Sequence, residues 1–291
     1  MTGLEAAAAG ATAGPGDAPA FSSLADAAWR IVSAPDPGDK VRLATAAAEL
    51  WRERRLSLGT RSTRPAMPDR PGRPSRPELL PPSRMPRRST QGLRGRIALL
   101  HSLAHIELNA VDMTWDLVAR FVDEPMPLSF FDNWVEVGAE EASHFALVSR
   151  RLGELDATYG DLPAHDGLWQ AAQATGGDLL ARLAVVPLVL EARGLDVSPG
   201  MIASLEAAGD PASAAVLGVI YRDEKKHVAH GAKWFRFLCD RHGMPPEPTF
   251  HDLVRRNFRG PVKPPFNDKA RSEAGLSPGF YKPLVAVGRV P

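Results

Sequence analysis

Six side chains of this sequence have the types and spacing to hold a pair of metal ions: Glu107, the pair Glu141-x-x-His144, Glu191 and the pair Glu224-x-x-His227. Residues three apart share a face of a helix, so each Glu-x-x-His pair turns a carboxylate and an imidazole the same way. A four-helix bundle that carries two metals in its core takes one Glu from each of two helices and a Glu-x-x-His pair from each of the other two. All six groups are present in that order. Glu107 and Glu141 stand 34 positions apart and Glu191 and Glu224 stand 33 apart, so the two halves read as near-duplicates. The spacing predicts two helical hairpins related by a pseudo-two-fold axis through the metal pair.

The neighbours of these residues sharpen the reading. At helical spacing around Glu107 lie Leu100, Leu103, Ala104, Ala110, Val111 and Thr114, and around Glu141 lie Trp134, Val137, Gly138, Phe145 and Val148. Similar stripes surround Glu191 (Leu183, Ala184, Pro187, Leu188, Leu195) and Glu224 (Leu217, Ile220, Tyr221, Val228, Gly231). An apolar stripe faces a core, and an ionised carboxylate is almost never buried there unless it is paired or holds a metal. Four such carboxylates call for about four positive charges, which two divalent ions supply. Oxygen-rich donors with one imidazole per metal suit two iron ions, with manganese as the alternative. A structural zinc site fits less well, because it draws on Cys and His and the chain has one Cys.

Further residues are candidates for an outer layer or a substrate rim. Tyr221, one turn before Glu224, is either a redox-active phenol beside the metals or plain core. Asp112, Asp223 and His230 are candidate partners of a ligand histidine, and His105, with His101 one turn earlier, has a packing or outer role. His165, Asp166 and Trp169, and Arg193 with Asp196 just past Glu191, either face a substrate or cap helices and anchor loops. Gly138 lacks a side chain beside Glu141 and is expected to open space there.

These residues need helices to position them, and the pattern predicts an all-α chain. Residues 1–20 read as disordered and residues 21–58 as a helical hairpin capped by Ser23 and Asp36. Residues 59–92 form an extended Pro/Arg-rich linker. From Arg61 to Arg96 ten Arg face only Asp69 and Glu78, against a net charge of +1 for the whole chain. That excess either straps the linker onto an acidic bundle, the favoured outcome, or reaches for nucleic acid. Residues 93–242 form the bundle, with helices expected near 93–121, 129–159, 177–194 and 211–242. Its long crossover between the second and third helices carries a short helix near Gly167. Pro187 is expected to kink the third helix, and a separate short helix is expected at 199–208. Residues 243–291 form a Pro-rich tail with a helix near 249–258. The N-terminus has neither the basic start nor the apolar run of a signal peptide, and no segment spans a bilayer. With the single Cys239 this predicts a reducing, cytoplasmic setting and no membrane partner.

The runs ALLHSLAHIELNAVD, EEASHF, YGDLPAHDGLW, LEARGLDVSPG and DEKKHVAHG resemble the bacterial ferritin-like family called domain of unknown function 455, over about residues 70–240. The resemblance implies a ferritin-like four-helix bundle whose metal ligands fall on Glu107, Glu141, His144, Glu191, Glu224 and His227. It implies no substrate. More distantly the pattern is similar to rubrerythrins and to the di-iron tRNA hydroxylases. The first 60 residues lie outside the resemblance.

The chemistry expected of two iron ions in such a site is an O2-activating oxidase or hydroxylase, with electrons from an external donor and a substrate the sequence does not name. The other readings are a non-catalytic ferritin-like protein that binds iron or removes peroxide, a di-manganese site acting on peroxide, and a tRNA hydroxylase-like enzyme that modifies RNA. Storage requires a multi-subunit shell, for which the N-terminal hairpin, arm and tail are poorly suited.

Overall fold

The computed structural model describes residues 20–285. The segment expected to be disordered, residues 1–20, lies outside them apart from Ala20. Among the described residues the chain is helical, with two isolated β-bridges and no named strands. The N-terminal hairpin is α1 (Leu24–Ser33) and α2 (Pro37–Arg52). Both expected caps form: Ser23 accepts from the Asp26 amide, and Asp36 accepts from the Asp39 amide with Pro37 in the first turn. The hairpin shares the bundle's apolar core, where Leu24, Ile31, Ala44 and Ala47 pack in one cluster with Val111, Trp115 and Phe131.

The bundle consists of α3 (Leu93–Arg120), α4 (Leu128–Gly153), a long third helix and α8 (Pro211–Arg241). The second helix is shorter than expected, ending at Gly153, because the chain turns there and Asp156 takes a positive φ. The crossover from residue 154 to 178 carries α5 (Gly167–Ala174).

The third helix departs from the sequence expectation. α6 (Leu179–Val185), a π-helical segment (Val186–Glu191) and α7 (Ala192–Ala207) run on without a break, so no separate helix starts at 199 and Pro199 sits inside α7. Pro187 has no N–H for the ladder and brings a wider turn, not a simple kink, and Glu191 is the last residue of that turn. Gly231 of α8 is the close-approach residue opposite it: a Cβ there would lie 2.5 Å from Cβ of Pro187. Gly138 plays the same part and does not open a cavity. A Cβ there would lie 2.7 Å from Nε1 of Trp115, whose indole fills the space.

The Pro/Arg segment is strapped to the helices. The Gly72 amide donates to Val32 O at 2.8 Å, and Glu78 and Leu80 pair with Ala164 of the crossover. Arg61 pairs with Asp123, Arg70 with Asp166, and Arg73 with buried Asp112 at 2.8 Å. After α8 the chain turns at Gly243 (φ +64°) and wraps back through α9 (Pro246–Asn257), α10 (Asp268–Glu273) and α11 (Pro278–Tyr281). Among the described residues no helix is long and apolar enough to cross a membrane.

Candidate metal centre

Each of the four long helices sends one carboxylate to the same buried point. Glu107 on α3, Glu141 on α4, Glu191 at the end of the π segment and Glu224 on α8 are all buried, as are His144 and His227. Their donor atoms fall into two overlapping groups, Glu107, Glu141, His144 and Glu224 in one and Glu191, Glu224 and His227 in the other, each group within 4.8 Å. Glu141 spans both imidazoles: its Oε2 lies 3.4 Å from Nδ1 of His144 and its Oε1 lies 3.0 Å from Nδ1 of His227. The two rings are 5.8 Å apart between centroids.

The far sides of the rings are held by a crossed pair of carboxylates. Nε2 of His144, on α4, donates to Asp223 Oδ2 of α8 at 3.2 Å. Nε2 of His227, on α8, donates to Glu140 Oε2 of α4 at 2.8 Å. Each partner immediately precedes the Glu of the opposite motif, so both motifs read acid–Glu-x-x-His: Glu140–Glu141 and Asp223–Glu224. A neutral imidazole that donates from Nε2 leaves its Nδ1 lone pair free, and both lone pairs face the carboxylate cluster. Glu140 also pairs with Lys226 at the surface.

Many of these inward atoms lack hydrogen-bond partners. Glu107 Oε2, Glu141 Oε1, both Glu191 oxygens, Glu224 Oε2 and His227 Nδ1 are all buried and unsatisfied. The 3.0 Å approach of His227 Nδ1 to Glu141 lacks hydrogen-bond alignment. Leaving so many buried acceptors unpaired costs about 1–3 kcal/mol each or more, whereas a shared cation satisfies them together. The buried carboxylates and imidazoles form an oxygen-rich donor set that could hold a metal ion.

Without cations the cluster must hold protons. Burial pushes Glu107 up to about 7 and, with the nearby Glu141 charge, Glu191 up to about 8; Glu224 is raised well above its ordinary value by the same causes. Burial opposes charge on His144, but its contacts with Glu107 and Glu141 prevail and raise it to about 12, while Glu141 is held low, against its burial, by the two imidazoliums. A raised carboxylate binds more protons folded than unfolded, so its contribution to stability falls as pH rises from the ordinary value of 4.5 to the folded one. A raised His loses its contribution as pH rises above 6.5. Both act in the same direction between pH 6.5 and 8. The metal-free protein is therefore expected to melt at a lower temperature at pH 8 than at pH 6, and divalent metal to raise the melting temperature more at pH 8. Calorimetry with and without metal checks this; equal metal effects at both pH values would contradict it.

The crossed partners give a second expectation. Glu140→Gln and Asp223→Asn keep the shape but weaken the grip on one histidine each, and loss of such a partner lowers metal affinity about 10–100-fold. Competition titration against a chelator measures it, and an unchanged affinity in both variants would mean that neither carboxylate orients its ring.

The other candidates take different places. Asp112 is not a partner of a ligand histidine: it is fully buried and accepts from Lys40 Nζ at 2.6 Å, while Arg73 approaches at 2.8 Å. Tyr221 is half-buried, with its hydroxyl accepting from Asn267 at 3.2 Å and Lys225 over its ring, so it belongs to the junction with the tail. His105 lies between the Tyr159 hydroxyl (2.8 Å) and the His165 carbonyl (3.0 Å), and His101 accepts from the Gly160 amide, so both anchor the crossover. Asp166 pairs with Arg70, and the Trp169 indole donates to Asp69 O at 2.9 Å. Arg193 donates to the carbonyls of Lys263 and Pro265, fixing the tail. His230 lies 3.8 Å from Glu136 near the surface. Of the rim candidates, His165 and Arg193 line a cavity reaching the carboxylates. That cavity, about 680 Å³, is walled by Glu107, Glu191, Glu224 and mainly apolar side chains. Its size is that of a small-molecule site. Glu140 escaped the sequence reading, although the repeated acidic residue before each Glu-x-x-His was the available signal.

Comparison with known proteins places the chain without naming a reaction. It is 38% identical over 204 residues to a protein of Haemophilus influenzae described as an uncharacterized protein, a match covering 68% of this chain and 71% of the other. No solved structure matches. The model of the family described as "Protein of unknown function (DUF455)" matches residues 33–282, which takes in α2 and the arm as well as the bundle. The chain belongs to the DUF455 family.

Proposed function

We propose that this protein is a ferritin-like di-iron carboxylate protein that activates O2 as an oxidase or hydroxylase. The observation that carries the reading is the set of buried, unsatisfied oxygens converging from four helices, joined by the unsatisfied Nδ1 of His227, with both histidines turned by carboxylates so that Nδ1 faces the cluster. Glu107, Glu141, His144 and Glu224 would hold one ion, and Glu191, Glu224 and His227 the other, with Glu141 between the histidines. Two iron ions in such a site supply electrons in pairs, so that O2 is reduced without release of a one-electron product.

The chain's own groups do the rest. Glu140 and Asp223 fix the Nε2 protons and hence the ring orientation, and each is about a quarter exposed, linking the buried cluster to solvent at the surface side. On the opposite side, the apolar cavity brings a substrate to Glu107, Glu191 and Glu224 and keeps water away from the reacting groups. For hydroxylation the balance is one C–H bond, one O2, two electrons and two protons giving one C–OH and one water, with the electrons from an external donor. The docking of Arg61, Arg70 and Arg73 on acidic residues supports a packing role for the arm over contact with RNA.

The test is metal content of the protein as purified, followed by admission of O2 to the ferrous, anaerobic protein. Two irons per chain and an optical change on oxygenation support the reading. Two manganese ions would redirect it to peroxide chemistry, and failure to take up two ions of either kind would overturn it.

A further inference from the structure

The cavity beside the carboxylates has a shape and polarity that select among substrates. Its α3 wall runs from Leu99 to Met113, roughly 21 Å at 1.5 Å per residue. The facing wall runs from Leu188 to Met201 along the π segment and α7. The space is therefore long, and its lining explains why Ile106, a large apolar side chain, is left 39% exposed. Polar groups that would recognise a base or a sugar are few along it. Arg193 and Arg271, which also line it, are both bound to Asp196.

One end carries a cation without an anion. Arg88, from the arm, is exposed at the rim beside His165, and its guanidinium donates to the Ser102 hydroxyl at 3.2 Å; among the described residues no carboxylate lies within ion-pairing distance of it. Ser102 precedes Glu107 by five residues on α3, roughly 7.5 Å. An anionic head at Arg88 thus leaves the next stretch of the molecule along the apolar wall toward Glu107. Lys263 also lines the cavity from the tail, but far along the chain from this wall and on a segment whose carbonyl is tied to Arg193.

We propose that the substrate of this site is an anionic amphiphile, a hydrocarbon chain ending in a carboxylate, bound with its head at Arg88 and its chain along the cavity past Glu107 and Glu191. The proposal rests on the di-iron reading for what is done to the chain, but the binding can be measured separately. Hydroxylation would break one C–H bond of the chain and use O2 and a two-electron donor with the balance given above.

The experiment titrates the full-length, metal-loaded protein with hexadecanoate and with hexadecanol, and counts bound iron in the same samples. One hexadecanoate per chain is expected. Arg88→Gln is expected to reduce the preference for acid over alcohol about tenfold, and Lys263→Gln to leave it unchanged. Gly194→Phe supplies the steric test. Gly194 lines the cavity and a Cβ there meets nothing within 4 Å, so a side chain can start into the space without a backbone clash, and circular dichroism and the iron count of the same sample check that fold and site are kept. Loss of hexadecanoate binding with two metals retained supports the proposal. A chain that holds two irons and binds no amphiphile overturns it while leaving the di-iron reading intact. Binding that Gly194→Phe or Arg88→Gln does not alter overturns it too, as does displacement of hexadecanoate only by an RNA oligonucleotide. Amphiphile binding by a chain that takes up no metal overturns its role as substrate.

Discussion

Glu141→Ala is expected to abolish binding of the second metal and to weaken the first by more than the roughly 10–100-fold that loss of an outer partner costs. Glu141 is the carboxylate placed between both histidines, with one oxygen toward each Nδ1. Its removal takes a donor from both ions at once and leaves Glu107, Glu191 and Glu224 with less cation to share. Helical content survives, because α4 is held by Phe131, Trp134, Val137 and Val148, none of which depends on that carboxylate. The measurement is metal stoichiometry by elemental analysis with circular dichroism on the same sample. Two ions still bound per chain would remove Glu141 from the ligand set.

The second large effect lies away from the metals. Asp112→Ala is expected to lower stability by roughly 3–5 kcal/mol, the cost of removing one partner from a buried ion pair. Lys40 is wholly buried; burial lowers its pKa while Asp112 holds its charge, and the Nζ otherwise has only the carbonyls of Ile31 and Val32 at 2.9 Å. Arg73 keeps its contact with Asn109 at 2.9 Å but loses its anion. The hairpin and the arm meet the bundle at this carboxylate, so thermal unfolding should show the hairpin and arm loosening together, with early proteolysis in residues 59–92. Metal affinity at low temperature should remain. A fall in metal affinity with unchanged melting would instead make Asp112 a partner of the ligand histidines.

Asp112 also shows where sequence reading stopped. An acidic residue on the ligand helix is a fair candidate for an outer partner, and nothing local marks its true one, because Lys40 is 72 residues away and reads as a surface lysine on an amphipathic helix. Glu107, Glu141, Glu191 and Glu224 were legible for the opposite reason: each interrupts an apolar stripe on its own helix, a local signal. The helix limits were legible where caps mark them, as at Ser23 and Asp36. They were misread at Pro187 and Pro199, since whether a proline breaks a helix or is absorbed into a wider turn depends on neighbours such as Gly231, which follows it by dozens of residues. Glu140 was overlooked because its role requires the pairing of α4 with α8. The register of Tyr221 left open a phenol beside the metals or plain core, and the tail decides otherwise, since its hydroxyl accepts from Asn267.

The crossed histidine supports carry a consequence for how the centre assembles. The ring of each motif is oriented by an acid belonging to the other, so neither hairpin of the near-duplicate can present a correctly turned imidazole by itself. A half-molecule is then not a weaker version of the whole but an incompetent one, because it lacks the acid that turns its own imidazole. The orientation of either ring is thereby tied to the docking of the other hairpin, so the two halves of the cluster take shape together.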